Sequence, residues 1–185
     1  IFTSDNGGHG KITSHLPLRG NKGNFYEGGI RVPLIVKWPG VIKPDSTCNV
    51  PVISTDYYPT LLAMTGQPAR PRQHVDGRNL VPLLKQTGTV KRDALYWHYP
   101  NYIGAGHPGG ARPSGVVRSG DWKLIESFET NRLELFNLKE DLGEQANLAA
   151  KMPAKAKALQ RQLAAWRASA KVQMPKRNPA YKPGE

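Results

Sequence analysis

The sequence is poor in cysteine, in long apolar runs and in acidic residues. Cys48 is the single cysteine, so no disulfide can form within the chain, and we expect it to be an ordinary, partly buried thiol. No apolar run approaches the roughly 18 residues of a membrane-spanning helix, so no membrane span is expected. The 14 Asp and Glu residues are outnumbered by 26 Lys and Arg residues. These absences exclude a disulfide scaffold and leave a basic chain of 185 residues, long enough to bury a core.

Much of the positive charge lies in residues 151–185, which contain one acidic residue, Glu185. The basic residues there are Lys151, Lys155, Lys157, Arg161, Arg167, Lys171, Lys176, Arg177 and Lys182. Such a stretch is typical of a solvated helix face, and it also attracts polyanions such as a sulfated glycan or nucleic acid. Aromatic residues are not interleaved with the charges, as a base-stacking surface requires. We therefore expect a general electrostatic role and no specific nucleic-acid partner.

The first 33 residues carry the strongest chemical signal. Residues 1–4 predict a short buried strand, and Asp5 and Asn6 follow at its carboxyl end, before two glycines. In open α/β sheets, ligands bind beyond the carboxyl ends of strands, and Asp and Asn oxygens suit a hard cation such as calcium or magnesium. Lys22 lies between two further glycines, where its ammonium group can meet an anion. Each piece alone is more typical of a solvated turn or a surface lysine, so the interpretation rests on their combination and order.

Hydrophobic periodicity predicts two parts that meet at residues 87–92. The first part alternates strands with helices, which is typical of an α/β domain. Its elements are predicted at residues 1–4, 32–38, 56–65 and 80–85, with Asp56 as a partner of the helix cap.

The second part predicts an antiparallel sheet of about four strands and one helix. The strands are predicted at residues 94–99, 115–119, 122–128 and 133–138, joined by links that suit hairpins. The helix begins near Pro153, and its apolar stripe is expected to pack on the sheet. The stripe consists of Leu159, Leu163, Trp166 and Ala170. Prolines at 175, 179 and 183 predict an irregular tail.

The segments FTSDNGGH and LRGNKGNFYEGGIRVPLIVKWPG together resemble the second half of a type I, formylglycine-dependent sulfatase of the arylsulfatase family. The similarity is dense over residues 1–40 and continues to about residue 150 through TDYYPTLLAMTG, DGRNLVPLL, ALYWHYP, VRSGDWKLI and ELFNLKEDLGEQANL. The resemblance implies an α/β fold of the alkaline-phosphatase-like superfamily. Residues 1–90 would be the C-terminal portion of the catalytic α/β domain, 91–172 a small α+β subdomain, and 173–185 a basic Pro-rich tail.

The same resemblance assigns roles to individual residues. Asp5 and Asn6 would supply two ligands to one calcium ion, and Lys22 would contact the substrate sulfate as a catalytic and binding residue. His98, just before the loop at residues 99–114, is a candidate substrate contact. Weaker candidates in or beside that loop are Tyr102, His107 and Arg112. Glu27 and Arg31 are expected to pair as a structural brace beneath the first loop.

The nucleophile of the family, a formylglycine made within a C/S-x-P-x-R motif, has no counterpart here, and Cys48 lies in no such motif. The first residue already belongs to a strand that needs neighbours. We therefore expect a C-terminal piece of a larger or cleaved protein, inactive without an N-terminal part that brings the nucleophile and the remaining calcium ligands. The resemblance further implies a sulfated small molecule or sulfated glycan as substrate. It also implies a periplasmic or secreted location, with the signal upstream of residue 1.

Two alternatives stay open. One is a phosphate mono- or diesterase of the same superfamily; its relatives more often carry Asp-His at this strand end, since imidazole suits zinc or manganese, so Asn6 favours sulfate. The other is a non-catalytic basic module that holds an acidic glycan or nucleic acid. Calcium dependence would indicate the enzyme, whereas a basic module would respond mainly to salt.

Overall fold

A computed structural model describes residues 1–102, 112–176 and 178–179, and it divides the chain into two compact units. The first unit comprises Ile1–Asp5 and Val32–Asp93, and the second comprises Asn6–Arg31 and Ala94–Glu185. Helices α1 to α4 lie at Glu27–Ile30, Tyr57–Met64, Val81–Leu84 and Pro153–Ser169. Strands β1 to β6 lie at Phe2–Thr3, Leu34–Ile35, Leu95–Tyr99, Ser114–Ser119, Trp122–Ser127 and Leu133–Asn137. Among the described residues, none of the helices combines the length and the apolar character that a membrane span needs.

The first unit contains a two-stranded antiparallel sheet, in which Phe2 of β1 lies opposite Ile35 of β2. Both strands are shorter than the predicted ranges 1–4 and 32–38. The late start of β2 has a local reason, because Pro33 has no N–H to donate immediately before the paired residues. The predictions of a buried strand at residues 1–4 and of a partly buried Cys48 were wrong, since Ile1, Phe2 and Cys48 are exposed.

Asp56 holds the start of α2 in place. Its fully buried carboxylate accepts hydrogen bonds from the N–H groups of Ile53, at 3.0 Å, and Arg78, at 2.8 Å, and it pairs with the guanidinium of Arg92. The predicted role of Asp56 as a cap partner is confirmed, and the structure adds a buried ion pair that ties three segments of this unit together.

The second unit is built on an antiparallel sheet with the strand order β3-β4-β5-β6. All four predicted strands are confirmed, each displaced by no more than a residue at its ends. Helix α4 packs on one face of this sheet through Ala156, Leu159 and Leu163. Trp166 stacks on Tyr96 with ring centroids 4.8 Å apart. The predicted stripe was wrong at Ala170, which is exposed and lies just past the end of the helix at Ser169.

The other face of the sheet is covered by Asn6–Arg31, here called the Lys22 segment. Phe25 and Tyr26 of the Lys22 segment pack with Trp97 against an apolar cluster on that face. The cluster consists of Val116, Ile125, Phe136 and Leu138. The sequence placed residues 6–31 with the first part of the chain; the structure assigns them to the second unit, because this apolar face needs a cover and the two aromatic side chains provide it.

Candidate functional site

Lys22 lies in a turn whose shape depends on its flanking glycines. Gly20 and Gly23 have φ angles of +79° and +94°, a left-handed conformation that side chains with a Cβ rarely adopt. The Lys22 N–H donates a hydrogen bond to the Gly8 carbonyl oxygen at 3.0 Å, while the side chain is exposed. The turn therefore fixes the backbone of Lys22 and leaves its ammonium group accessible.

Helix α1 packs directly against this turn, backbone to backbone. The N–H of Gly28 donates to the carbonyl oxygen of Arg19 at 2.7 Å. A Cβ placed on Gly28 would lie 2.3 Å from the Gly20 carbonyl oxygen, and one on Gly29 would lie 2.1 Å from the carbonyl oxygen of Asn24. Both helix glycines are buried. No side chain fits at either position, so the two glycines are required for the contact.

A buried charge cluster, made of Glu27, Lys123 and Glu144, lies under α1. Lys123 is 0% exposed, and its Nζ lies 2.9 Å from a carboxylate oxygen of each glutamate. The Glu144 carboxylate also accepts the backbone N–H of Glu27. The predicted pair of Glu27 with Arg31 is present at 3.6 Å, but Lys123 is the nearer partner. Sequence reasoning missed Lys123, although a lysine within the apolar run WKLIESF is the signal that could have found it.

Two further contacts attach the Lys22 segment to β6 and to the loop that follows it. Arg19 donates a hydrogen bond to the Glu144 carbonyl oxygen at 2.9 Å, and its guanidinium lies 3.9 Å over the ring of Tyr26. The Tyr26 hydroxyl donates to Glu134 at 2.9 Å, and burial together with Glu134 raises the pKa of Tyr26 to about 12. Burial also raises the pKa of the Glu144 carboxyl, against the opposing influence of Lys123. The Lys22 segment is thus held by charged and aromatic contacts besides its apolar ones.

Asp5 and Asn6 come two and three residues after the end of β1. Asp5 is exposed and belongs to the first unit, and Asn6 is half-buried and belongs to the second. Their oxygens are donors that suit calcium, which takes about six to eight oxygen ligands. Across the three described stretches of the chain, no group of three or more His, Cys, Asp or Glu side chains could hold a metal ion. Two side chains supply fewer oxygens than a calcium ion takes, so Asp5 and Asn6 alone do not make up a calcium site.

His98 lies on β3 and points to the face of the sheet that carries α4. Its Nε2 donates a hydrogen bond to the carbonyl oxygen of Gln173 at 2.8 Å, and its ring centroid lies 5.3 Å from that of Phe128. The next residue back, Trp97, packs on the opposite face with the Lys22 segment. The sheet therefore separates His98 from the segment that carries Lys22, and the structure does not bring the two predicted substrate contacts together.

Two of the weaker candidates, Tyr102 and Arg112, both contact Glu129. Tyr102 donates a hydrogen bond to Glu129, and Arg112 pairs with the same carboxylate at 3.5 Å. His107 lies outside the described residues. These two side chains thus share one exposed acid on the sheet of the second unit.

The sequence matches the family described as N-sulphoglucosamine sulphohydrolase, C-terminal, over residues 21–170. It is 41% identical to a sulfatase of Formosa agariphila over 163 residues, which are 83% of this chain and 29% of that protein. The chain therefore spans less than a third of the length of this curated relative.

Solved structures share the fold. The crystal structure of Ps i-CgsB in complex with k-i-k-neocarrahexaose matches with a TM-score of 0.74 at 28% identity, covering 89% of this chain and 35% of that one. BT4656 in complex with its substrate D-glucosamine-2-N,6-O-disulfate matches with a TM-score of 0.65 at 27% identity, over 78% and 30%. The phosphonate monoester hydrolase SpPMH from Silicibacter pomeroyi matches with a TM-score of 0.62 at 26% identity, over 80% and 31%.

Proposed function

Because the chain belongs to the N-sulphoglucosamine sulphohydrolase C-terminal family of sulfatases, we propose that it forms part of the active site of a sulfuric ester hydrolase. The chain spans 29% of its Formosa agariphila relative, so the proposed activity is that of the whole protein. One observation carries the proposal: an exposed lysine held in a fixed turn between two left-handed glycines, Gly20 and Gly23.

Lys22 binds the sulfate group of the ester in this proposal. An ammonium group is a compact point charge that interacts with an oxyanion from one side. In this proposal the fixed turn holds the charge beside the position where negative charge develops as the sulfate is transferred. Lys22 therefore acts as both a binding and a catalytic residue.

Asp5 and Asn6 supply two oxygen ligands to one calcium ion, and the other ligands come from elsewhere in the whole protein. The ion, when bound, would supply electrostatic stabilisation of the sulfate oxygens. A formylglycine formed in a C/S-x-P-x-R motif of the N-terminal part would supply the nucleophile. The amide oxygen of Asn6 favours calcium over the softer zinc, which prefers imidazole.

A sulfated glycan or a sulfated small molecule is the proposed substrate, supported by the disulfated glucosamine bound to BT4656. A periplasmic or secreted location is proposed from the family alone. The role of His98 in substrate binding stays a prediction; its Nε2 already bonds to Gln173.

The first test replaces Lys22 in the full-length protein. We expect Lys22→Gln to lower kcat/KM for 4-nitrophenyl sulfate by about 100-fold, the usual order for the loss of one group that stabilises transition-state charge. Lys11→Gln is the matched control, since Lys11 is an exposed lysine of the same segment and has no proposed role. Full activity of Lys22→Gln, or an equal loss in the control, would overturn the role of Lys22.

The second test separates the alternatives. Chelation of calcium with EGTA should abolish sulfate ester hydrolysis, and calcium, unlike zinc or manganese, should restore it. The match to SpPMH favours a phosphate or phosphonate esterase as the second candidate, which would prefer 4-nitrophenyl phosphate and recover with zinc or manganese. A non-catalytic basic module would instead bind a polyanion with or without EGTA and release it as salt is raised.

A further inference from the structure

Lys123 lies on β5, on the sheet face that the Lys22 segment covers. Its neighbours across the sheet are Arg118 on β4 and Phe136 on β6. Lys123 and Glu144 are 0% exposed and Glu27 is 2% exposed. A buried charge is costly unless it is paired, and here each member of the cluster has a charged partner within 2.9 Å.

Stability alone does not account for this cluster. Apolar side chains of similar volume can often replace a buried ion pair without loss of stability. The Lys22 segment already has apolar contacts with the sheet through Phe25 and Tyr26. Apolar packing is non-directional, whereas a charge contact at 2.9 Å between two buried groups favours one position of Glu27 over its neighbours.

The position of Glu27 affects the Lys22 turn through a direct backbone contact. Gly28 follows Glu27, and the contact between Gly28 and Gly20 leaves no free space, since even a methyl group would lie 2.3 Å from the Gly20 carbonyl oxygen. Lys22 is two residues after Gly20 in the chain. A change in the position of Glu27 therefore moves the backbone that carries Lys22.

We propose that Lys123 is a positioning residue for Lys22, acting through Glu27 and Gly28. This inference rests on the proposed sulfate-binding role of Lys22 and deepens it. Lys123 itself touches no substrate in this arrangement; it fixes the backbone of the turn that carries the lysine that does.

A double-mutant cycle in the full-length protein tests the inference, with 4-nitrophenyl sulfate as the substrate. Lys123→Met keeps the length of the side chain and removes its charge, and Glu27 keeps Arg118 within 3.8 Å as a partner. We expect a loss of about tenfold in kcat/KM when Lys22 is present and less than twofold in a Lys22→Gln background, because a misplacement well below 1 Å is enough to cost rate. Lys139→Met, an exposed lysine of the same unit, should leave kcat/KM unchanged in both backgrounds.

The outcomes separate the two proposals. If Lys22→Gln alone keeps full activity, the proposed function of Lys22 is wrong. If Lys22→Gln loses activity but Lys123→Met costs nothing, or costs equally in both backgrounds, the positioning role of Lys123 is wrong.

Amide hydrogen exchange gives a readout independent of activity. In Lys123→Met, exchange should accelerate in residues 19–30 and stay unchanged in strands β3 to β6. Unchanged exchange in residues 19–30, or equal acceleration throughout the sheet, would overturn the inference. If Lys123→Met does not fold, Lys123→Met/Glu144→Gln removes one charge of each sign and is measured in the same way.

Discussion

Gly28→Ala adds one methyl group where α1 touches the turn that carries Lys22. The added Cβ would lie 2.3 Å from the carbonyl oxygen of Gly20 and 2.6 Å from that of Arg19. Cβ atoms essentially never approach another heavy atom below 3.0 Å, so the backbones must separate by at least 0.7 Å, the difference between 3.0 and 2.3 Å. Because both opposing atoms belong to the backbone, rotation of a side chain cannot relieve the contact.

The displacement sets the expected size of the effect. A misplacement of about 1 Å costs on the order of 100-fold in rate, so a shift of this order should lower kcat/KM by roughly 10- to 100-fold. Forcing a methyl group into a packed contact should also lower the free energy of unfolding by about 1–3 kcal/mol. The loss of activity should therefore exceed what the unfolded fraction explains.

The assay measures kcat/KM for 4-nitrophenyl sulfate and urea unfolding of the same full-length preparations. Gly88→Ala is the matched control, because its added Cβ would meet only the Cβ of Pro82, at 3.2 Å. If Gly28→Ala keeps kcat/KM within twofold of Gly88→Ala and unfolds at the same urea concentration, the close contact between α1 and the turn does not position Lys22.

Two further predictions concern buried carboxylates. Asp56→Asn should lower the free energy of unfolding by about 3–5 kcal/mol, because the amide keeps one acceptor and leaves the charge of Arg92 without its partner. Urea unfolding measures this loss, with Asp76→Asn at an exposed position as the control. A similar loss of unfolding free energy in the two variants would contradict the prediction. Glu144→Gln tests pH dependence: burial raises the pKa of Glu144, so the folded state binds its proton more tightly and stability falls as pH rises through the window above the ordinary carboxyl pKa. Glutamine does not titrate, so the free energy of unfolding of the variant relative to that of the parent should be higher at about pH 8 than at about pH 4. The same difference in unfolding free energy at both pH values would refute the argument.

The sheet of the second unit could be predicted because its signals are local. Alternation of apolar residues along β4 and β5 places Val117 and Leu124 on the face of α4 and Val116 and Ile125 on the other face. The link between these strands contains Gly120 at a φ of +58°, which suits a tight turn. Neither signal needs knowledge of distant parts of the chain.

The attachment of the Lys22 segment could not be predicted in the same way. Glu27 and Lys123 are 96 positions apart in sequence, and Glu27 and Glu144 are 117 apart. Arg31 is four positions from Glu27, so the sequence identified that pair and missed the stronger one. Local pattern reports which face of a strand is buried, but it does not report which distant segment buries it.

Some residues of the candidate site can be recognised from a local motif and others, distant in sequence, cannot. Asp5, Asn6 and Lys22 lie within a single short stretch, so they can be recognised without a structure. Lys123 is far away in sequence and belongs to no such stretch, yet it contacts the residue that fixes the turn. A chain that kept the three motif residues and lost the lysine at position 123 would still match the motif, and by our argument it would present its sulfate-binding lysine out of place. If Lys123 positions Lys22 as we propose, the buried charge cluster and the motif together indicate a working site better than the motif alone does.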